Sequence, residues 1–237
     1  MQLWLCPIFA FLLGSIPFGL IIAKAKGVNI REHGSGNIGA TNVLRVIGKK
    51  YGISCLLLDA LKGFIPVAIA TNLIQIDGRA IQIPLGFLDP WALILPAAEA
   101  MKGQTVQILT ALAAVLGHNY SPWVGFKGGK GIATSAGVLL ALVPFAVGLL
   151  FVVFIVIFLV TRYVSLASIV AAAILPIVTL WGSWHHGRIQ DGTWNKPLFI
   201  FSLVIGVLAI WKHRSNIQRL RAGTENRFTR KAKTPDA

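Results

Sequence analysis

Charge is scarce in this sequence. Only 13% of its 237 residues are charged and 55% are hydrophobic, whereas a soluble domain carries about 25% charged residues. The deficit, with a mean hydropathy of +0.72, places the chain in lipid. Acids are scarcer still, with eight Asp and Glu against 22 Lys and Arg. No acidic cluster implies magnesium. The two cysteines, Cys6 and Cys55, lie apart in apolar runs, so neither a disulfide framework nor a zinc cluster is expected. His185 and His186 have no third ligand nearby, and no metal or other cofactor is expected. No Ser-His-Asp order occurs either. The inventory of amides, hydroxyls, arginines, lysines and glycines suits holding phosphates better than covalent catalysis. No basic stretch precedes the first apolar run, so a retained helix is expected rather than a cleaved signal peptide.

Apolar runs bounded by charges mark segments of roughly the 20 residues that cross a bilayer. Leu3 to Ala23, Gly52 to Ile74, the shorter Val106 to Pro122, Val164 to Trp181 and Leu198 to Trp211 each read as one span. Ile132 to Val160 is too long for one upright helix, and Pro144 with Gly148 predicts a tight hairpin of two short ones. Asp59 and Lys62 stand three apart inside the second span. Mutual neutralisation is the simplest reading, since intramembrane charges usually pair or line a polar cavity. Ile83 to Ala98, broken by Pro84, Pro90 and Pro96, reads as an interfacial excursion.

The net charge of +14 does not point to nucleic acid, because the basic residues, Lys62 apart, avoid the apolar runs and gather in connections. Lys24, Lys26, Arg31, Arg45, Lys49 and Lys50 stand against Glu32 alone in one of them. Lys127, Lys130, Arg162 and the tail from Lys212 onward are basic as well. Seven spans put all of these on the cytoplasmic side with the N-terminus outside; six would send the basic tail outward, against the positive-inside bias. The expectation is an all-α polytopic membrane protein with seven transmembrane helices. It forms one domain over residues 1–237, with a loose basic tail from about 229 to 237 and no internal repeat. Its site lies on the cytoplasmic face.

Three polar stretches fall on that face. In HGSGNIGATNVLR, Gly34, Gly36 and Gly39 alternate with Ser35, Asn37, Thr41 and Asn42. Exposed backbone amides and short donors of this kind form an anion cradle, and Arg45 adds a planar fork for phosphate. An ordinary turn would use the same residues. GHNYSPWVGFKGGKGIAT places Lys127 and Lys130 among Gly128, Gly129 and Gly131. It is no Walker A loop, since Gly131 stands where Ser or Thr must follow the lysine. His118 either orients a ligand or is a buried structural histidine. WKHRSNIQRLRAGTENRF continues the last span as a basic helix that Gly223 would stop. Such a helix serves as a headgroup anchor, a role that does not account for Asn216 and Glu225.

Together these stretches resemble the bacterial membrane acyl-phosphate:glycerol-3-phosphate acyltransferase family, PlsY. GSIPFG (Gly14 to Gly19), DALKGFIPV (Asp59 to Val67) and RYVSLASI (Arg162 to Ile169) extend the resemblance over nearly the whole chain. The family pattern differs by extra length here around 75–104 and 182–196. The resemblance implies transfer of a fatty acyl group from acyl phosphate to the 1-hydroxyl of sn-glycerol 3-phosphate. The products are lysophosphatidic acid and phosphate, the first step of phospholipid synthesis at the bacterial inner membrane. It also implies functional coupling to the soluble enzyme that makes acyl phosphate. Catalytic roles then fall to Ser35, Arg45, Lys130, His213 and Asn216. Substrate binding falls to Gly36, Asn37, Gly39, Thr41, Asn42, His118, Lys127, Gly128, Gly129, Gly131 and Arg214, and Glu225 locks the tail by pairing with a base. A phosphate or organophosphate transporter is the rival reading. It fits less well, because transporters place polar residues near the midplane on repeated or broken helices.

Overall fold

The break in the first apolar run is the first departure from regular helix. Pro17 lacks an N–H and ends the pairing of the preceding turn. Helix α1 (Gln2–Gly14) therefore stops and α2 (Phe18–Lys24) restarts. The computed structural model describes residues 2–228, so the basic tail expected after about 229 lies outside the described residues. A loop and the short α3 (Ala40–Val46) lead into α4 (Lys49–Leu73). At 25 residues α4 extends about 37 Å, more than the ~30 Å hydrocarbon core. Then come α5 (Ala100–Asn119), α6 (Ile132–Leu142), α7 (Pro144–Thr161), α8 (Val164–His185), α9 (Lys196–Lys212) and α10 (Arg214–Arg221).

Among the described residues, four helical stretches are long and apolar enough to cross a membrane: Leu3–Lys24, Lys49–Leu73, Pro144–Thr161 and Val164–His185. Joining α9 to α10, which bend by 54°, makes five. The long run of residues 132–160 does divide, at Val143, one residue before Pro144. Helix α6 has 11 residues, about 16 Å, roughly half a hydrocarbon core.

The helices pack side by side in the order α6–α4–α1–α5–α9–α8–α7. Lipid tails give helices no hydrophobic reason to associate, so close packing must hold them. Two crossings show how. A Cβ at Gly63 or Gly137 would strike the Thr134 or Ala60 carbonyl across α4–α6, and one at Gly14 or Gly117 would do the same across α1–α5. The core is built from Val67, Ala111, Ala114, Val138, Leu175 and Phe201. Phe145, Phe151, Val152, Val156 and Val160 point outward from α7, as a lipid-facing surface requires.

The fold is not wholly helical. Strands β1 (Ile74–Ile76) and β2 (Leu93–Leu95) pair in parallel, Ile74 opposite Leu93. Buried Asn72 pins the intervening loop, donating to the carbonyls of Ala68 and Ile83 and accepting from the Leu85 N–H at 2.7 Å. Residues 83–98 contain no spanning helix, and Phe87, Trp91 and Ile94 are exposed there.

Candidate active site

The first glycine-rich loop is organised by Asn42. This side chain, 1% exposed, accepts from the Ser35 N–H at 2.8 Å and donates to the carbonyls of His33 and Ile30. Asn37 accepts from the Gly39 N–H at 2.8 Å in a local turn. Asn42 was expected to hold substrate; its amide is instead committed to the loop's own backbone, leaving no free donor. Ser35 and Thr41 are half-buried, and their hydroxyls make no hydrogen bond among the described residues. Gly36 turns the loop back against the Arg31 carbonyl. Arg31 donates to the Lys127 carbonyl at 2.8 Å, joining this loop to the second.

The second loop rests on the end of α5. The Gly129 N–H donates to the His118 carbonyl at 3.2 Å. A Cβ at Gly128 would strike that carbonyl, and one at Gly129 would strike His118 Nε2. These glycines are required by close approach to the protein itself. His118 is 6% exposed and lies 3.7 Å from Asp59 Oδ1, so it is a buried support rather than a wall of the site. Gly131, in the left-handed region at φ 81°, turns the chain into α6. Lys127 is exposed, whereas Lys130 points inward.

A connected polar network surrounds Lys130. Its Nζ donates to Asn216 Oδ1, and Asn216 Nδ2 donates to Glu225 Oε1 at 2.7 Å. Glu225 also accepts from Ser165 at 2.9 Å and from Arg219 Nε at 2.7 Å. Burial alone would raise the Glu225 carboxyl, but bonds from Asn216, Ser165 and Arg219 hold it below its ordinary value and ionised. Burial, aided by the charges of Arg219 and Arg45, pushes Lys130 down to about 8 despite Glu225. His213, 4% exposed, has Nδ1 2.8 Å from the Ala209 carbonyl, the geometry of a donated N–H. Burial and the nearby Lys130 push it down to about 4, so at neutral pH it is uncharged and Nε2 carries a lone pair.

Arg45 reaches the same cluster from α3. It donates to the Asn226 carbonyl at 3.1 Å and lies 4.9 Å from the Phe228 ring centre. The Phe228 N–H donates to the Arg162 carbonyl, which ties the end of residues 224–228 to the turn between α7 and α8. The structure thus brings together Arg45, Lys130, His213, Asn216 and Glu225. Arg214 is not among them: it is exposed and lies 4.4 Å over the Trp211 ring. Ser165, Arg219 and Arg31 were not singled out for roles. Ser165 does lie in the RYVSLASI stretch, but a serine in an apolar helix reads as a small packing residue. The His186/Asp191 pair has the H-x4-D spacing, yet it lies after α8, where Asp191 is taken up by Thr193. Among the described residues no three His, Cys, Asp or Glu side chains converge as metal ligands.

An apolar groove of about 210 Å³ opens beside this cluster. Ile132 and Ser135 line it next to Gly131, and Ala209, whose carbonyl lies against His213, forms part of its wall. Leu139, Leu150 and Leu175 line its deeper part.

Apolar helices that carry a cationic polar cluster beside an apolar groove suit a membrane-embedded protein whose ligand joins an anionic group to an apolar chain. Comparison with known proteins gives the family. A profile described as glycerol-3-phosphate acyltransferase matches residues 4–223. The chain is 44% identical over 220 residues to a glycerol-3-phosphate acyltransferase of Geobacter sulfurreducens, covering 92% of this chain and 94% of that one. It is 45% identical over 221 residues to that of Aquifex aeolicus, covering 93% and 96%. With that of Halalkalibacterium halodurans it is 41% identical over 236 residues, 98% of each. Against this last relative the loops at 75–104 and 182–196 are therefore no excess of overall length. Among solved structures it is similar to PlsY (YgiH), an integral membrane glycerol 3-phosphate acyltransferase. The glycerol 3-phosphate form has a TM-score of 0.75 at 42% identity, covering 97% of this chain and 96% of that one. The lysophosphatidic acid form has a TM-score of 0.73 at 41% identity over the same shares. The chain belongs to the glycerol-3-phosphate acyltransferase family and is an integral membrane enzyme.

Proposed function

We propose that the acyl donor is an acyl phosphate and that its phosphate and that of glycerol 3-phosphate meet between Arg45 and Lys130. The neighbour solved with glycerol 3-phosphate and with lysophosphatidic acid supports this acceptor and product. The carrying observation is the network Lys130–Asn216–Glu225, which holds an inward-facing ammonium beside Arg45 at the mouth of an apolar groove. The acyl chain lies in that groove. Arg45 and Lys130, with Lys127 at the entrance, hold the phosphates. Ser35 and Thr41 offer hydroxyls to the acceptor and the reacting carbonyl, and neutral His213 accepts a hydrogen bond at Nε2.

The acyl phosphate is already an activated mixed anhydride. The acceptor oxygen attacks the acyl carbon, its bond to the phosphate oxygen breaks, and the phosphate leaves with that electron pair. The hydroxyl proton passes to a substrate phosphate oxygen. Alignment of the two substrates supplies most of the rate, and such terms reach roughly 7–11 kcal/mol. The chain crosses the bacterial inner membrane seven times, with α6 and α7 as the two arms of a hairpin and the bilayer thinned locally around the short α6. The N-terminus is outside and the site faces the cytoplasm, where the enzyme that makes acyl phosphate supplies its donor. The distribution of basic connections supports this orientation.

The test is donor choice. Purified protein in detergent receives palmitoyl phosphate with and without glycerol 3-phosphate, then palmitoyl-CoA instead. Phosphate release that requires glycerol 3-phosphate and matches lysophosphatidic acid mole for mole is the expected result. Equal or faster transfer from palmitoyl-CoA would overturn the donor assignment.

A further inference from the structure

The α1–α2 break and the ion pair inside α4 serve no step above, yet they meet under the second glycine loop. The break frees carbonyls that a continuous helix would use. The Ser15 carbonyl accepts from Ser121 Oγ at 2.6 Å, and Ser15 Oγ accepts from Trp123 Nε1 at 2.8 Å. The Ile16 carbonyl accepts from Lys62 Nζ at 2.6 Å. Lys62 also pairs with Asp59 Oδ1 at 2.8 Å, and that same oxygen lies 3.7 Å from His118 Nδ1. The far side of the His118 ring carries Gly129, one residue before Lys130. Asp59 and Lys62 are each 2% exposed.

We propose that Asp59 and Lys62 are positioning residues for acyl transfer, acting through His118 on Gly128, Gly129 and Lys130. The proposal rests on reading residues 125–134 as the loop that holds phosphate. Neutralisation alone does not explain the geometry. Two buried charges are expensive to desolvate, and replacing such a pair with apolar residues is often neutral or stabilising. A neutralising pair also needs no third partner, whereas this one reaches the broken helix through Lys62 and the loop's support through Asp59. Fixed charges in a low-dielectric interior give His118 one ring orientation, and the loop follows the ring.

The test compares Asp59→Asn, the double variant Asp59→Asn/Lys62→Met, His118→Asn and Thr179→Val. The last removes a buried hydrogen bond between α8 and α9 at 3.0 Å, remote from the loop, and serves as a control for destabilisation. Elution in detergent and unfolding temperature report folding; kcat and KM for glycerol 3-phosphate are measured with palmitoyl phosphate. The double variant is expected to fold, with KM raised about tenfold or more and kcat much less changed, because the loop is displaced while its groups remain. His118→Asn reproduces that rise, and Thr179→Val lowers the unfolding temperature without it. A folded double variant with wild-type KM overturns the proposal. If the charge variants do not fold, wild-type KM in His118→Asn overturns it instead. Full activity in Lys130→Met would instead show that the phosphate-loop reading itself had failed.

Discussion

Lys130→Met lowers kcat/KM for glycerol 3-phosphate by about 10²–10³, the usual cost of removing one preorganised donor aimed at developing charge. Methionine replaces the aliphatic stem of the side chain and removes the terminal ammonium with its charge. Lys130 is the ammonium that Asn216 holds inside the cluster, and burial disfavours its charged form. The variant should remain folded, because a buried charge has been exchanged for an apolar group. The same residue sets a pH dependence. Its folded pKa of about 8 lies below the ordinary lysine value, so the charged form prevails only beneath that pH. In the wild type kcat/KM therefore falls about tenfold per unit as pH rises above about 8, as for any essential proton on the free enzyme. Bound phosphate favours the ammonium, so the matching limb in kcat lies at higher pH. Lys130→Met lacks the kcat/KM limb. Rates at saturating and limiting glycerol 3-phosphate between pH 6 and about 10 check this; an unchanged limb in the variant would assign it elsewhere.

Glu225→Ala has the second large effect, on stability and activity together. The side chain is 3% exposed and binds Ser165 of α8, Asn216 and Arg219 of α10. Its removal strands Arg219 and frees Asn216 from the orientation that meets Lys130. Breaking a buried pair from one side typically costs about 3–5 kcal/mol, less where one partner keeps some solvent, as Arg219 does. A lower unfolding temperature in detergent and a loss of about a hundredfold in kcat/KM are expected, since misplacement alone reaches that size. Glu225→Gln keeps an acceptor for Ser165 and loses the ion pair, so it falls between. Wild-type activity in the alanine variant would remove Glu225 from the account.

Much of this was legible because charge and proline act locally. Pro144 split the run of residues 132–160 with no help from tertiary structure, and Glu225 stood out as an acid within a basic stretch. Other features depend on pairing across the chain. The Ile74–Ile76 strand became a strand only by meeting Leu93–Leu95, seventeen residues after its end. The backbone bonds of Asn42 were not legible, because an amide next to glycines suits a ligand and a backbone equally well. His118 was ambiguous in sequence because its partner Asp59 lies on another helix. Arg214 has the charge for the site but not the direction, since it sits over Trp211 at the surface.

The central claim is that this site aligns two phosphates and has the acceptor attack the donor directly, with no acyl group passing through the protein. Rapid quench of excess enzyme with labelled palmitoyl phosphate and glycerol 3-phosphate, followed by peptide mass analysis, tests it most directly. The account predicts that lysophosphatidic acid and phosphate form at one common rate and that no peptide carries palmitate. Label on a residue such as Ser35, appearing and decaying as fast as turnover requires, would contradict it.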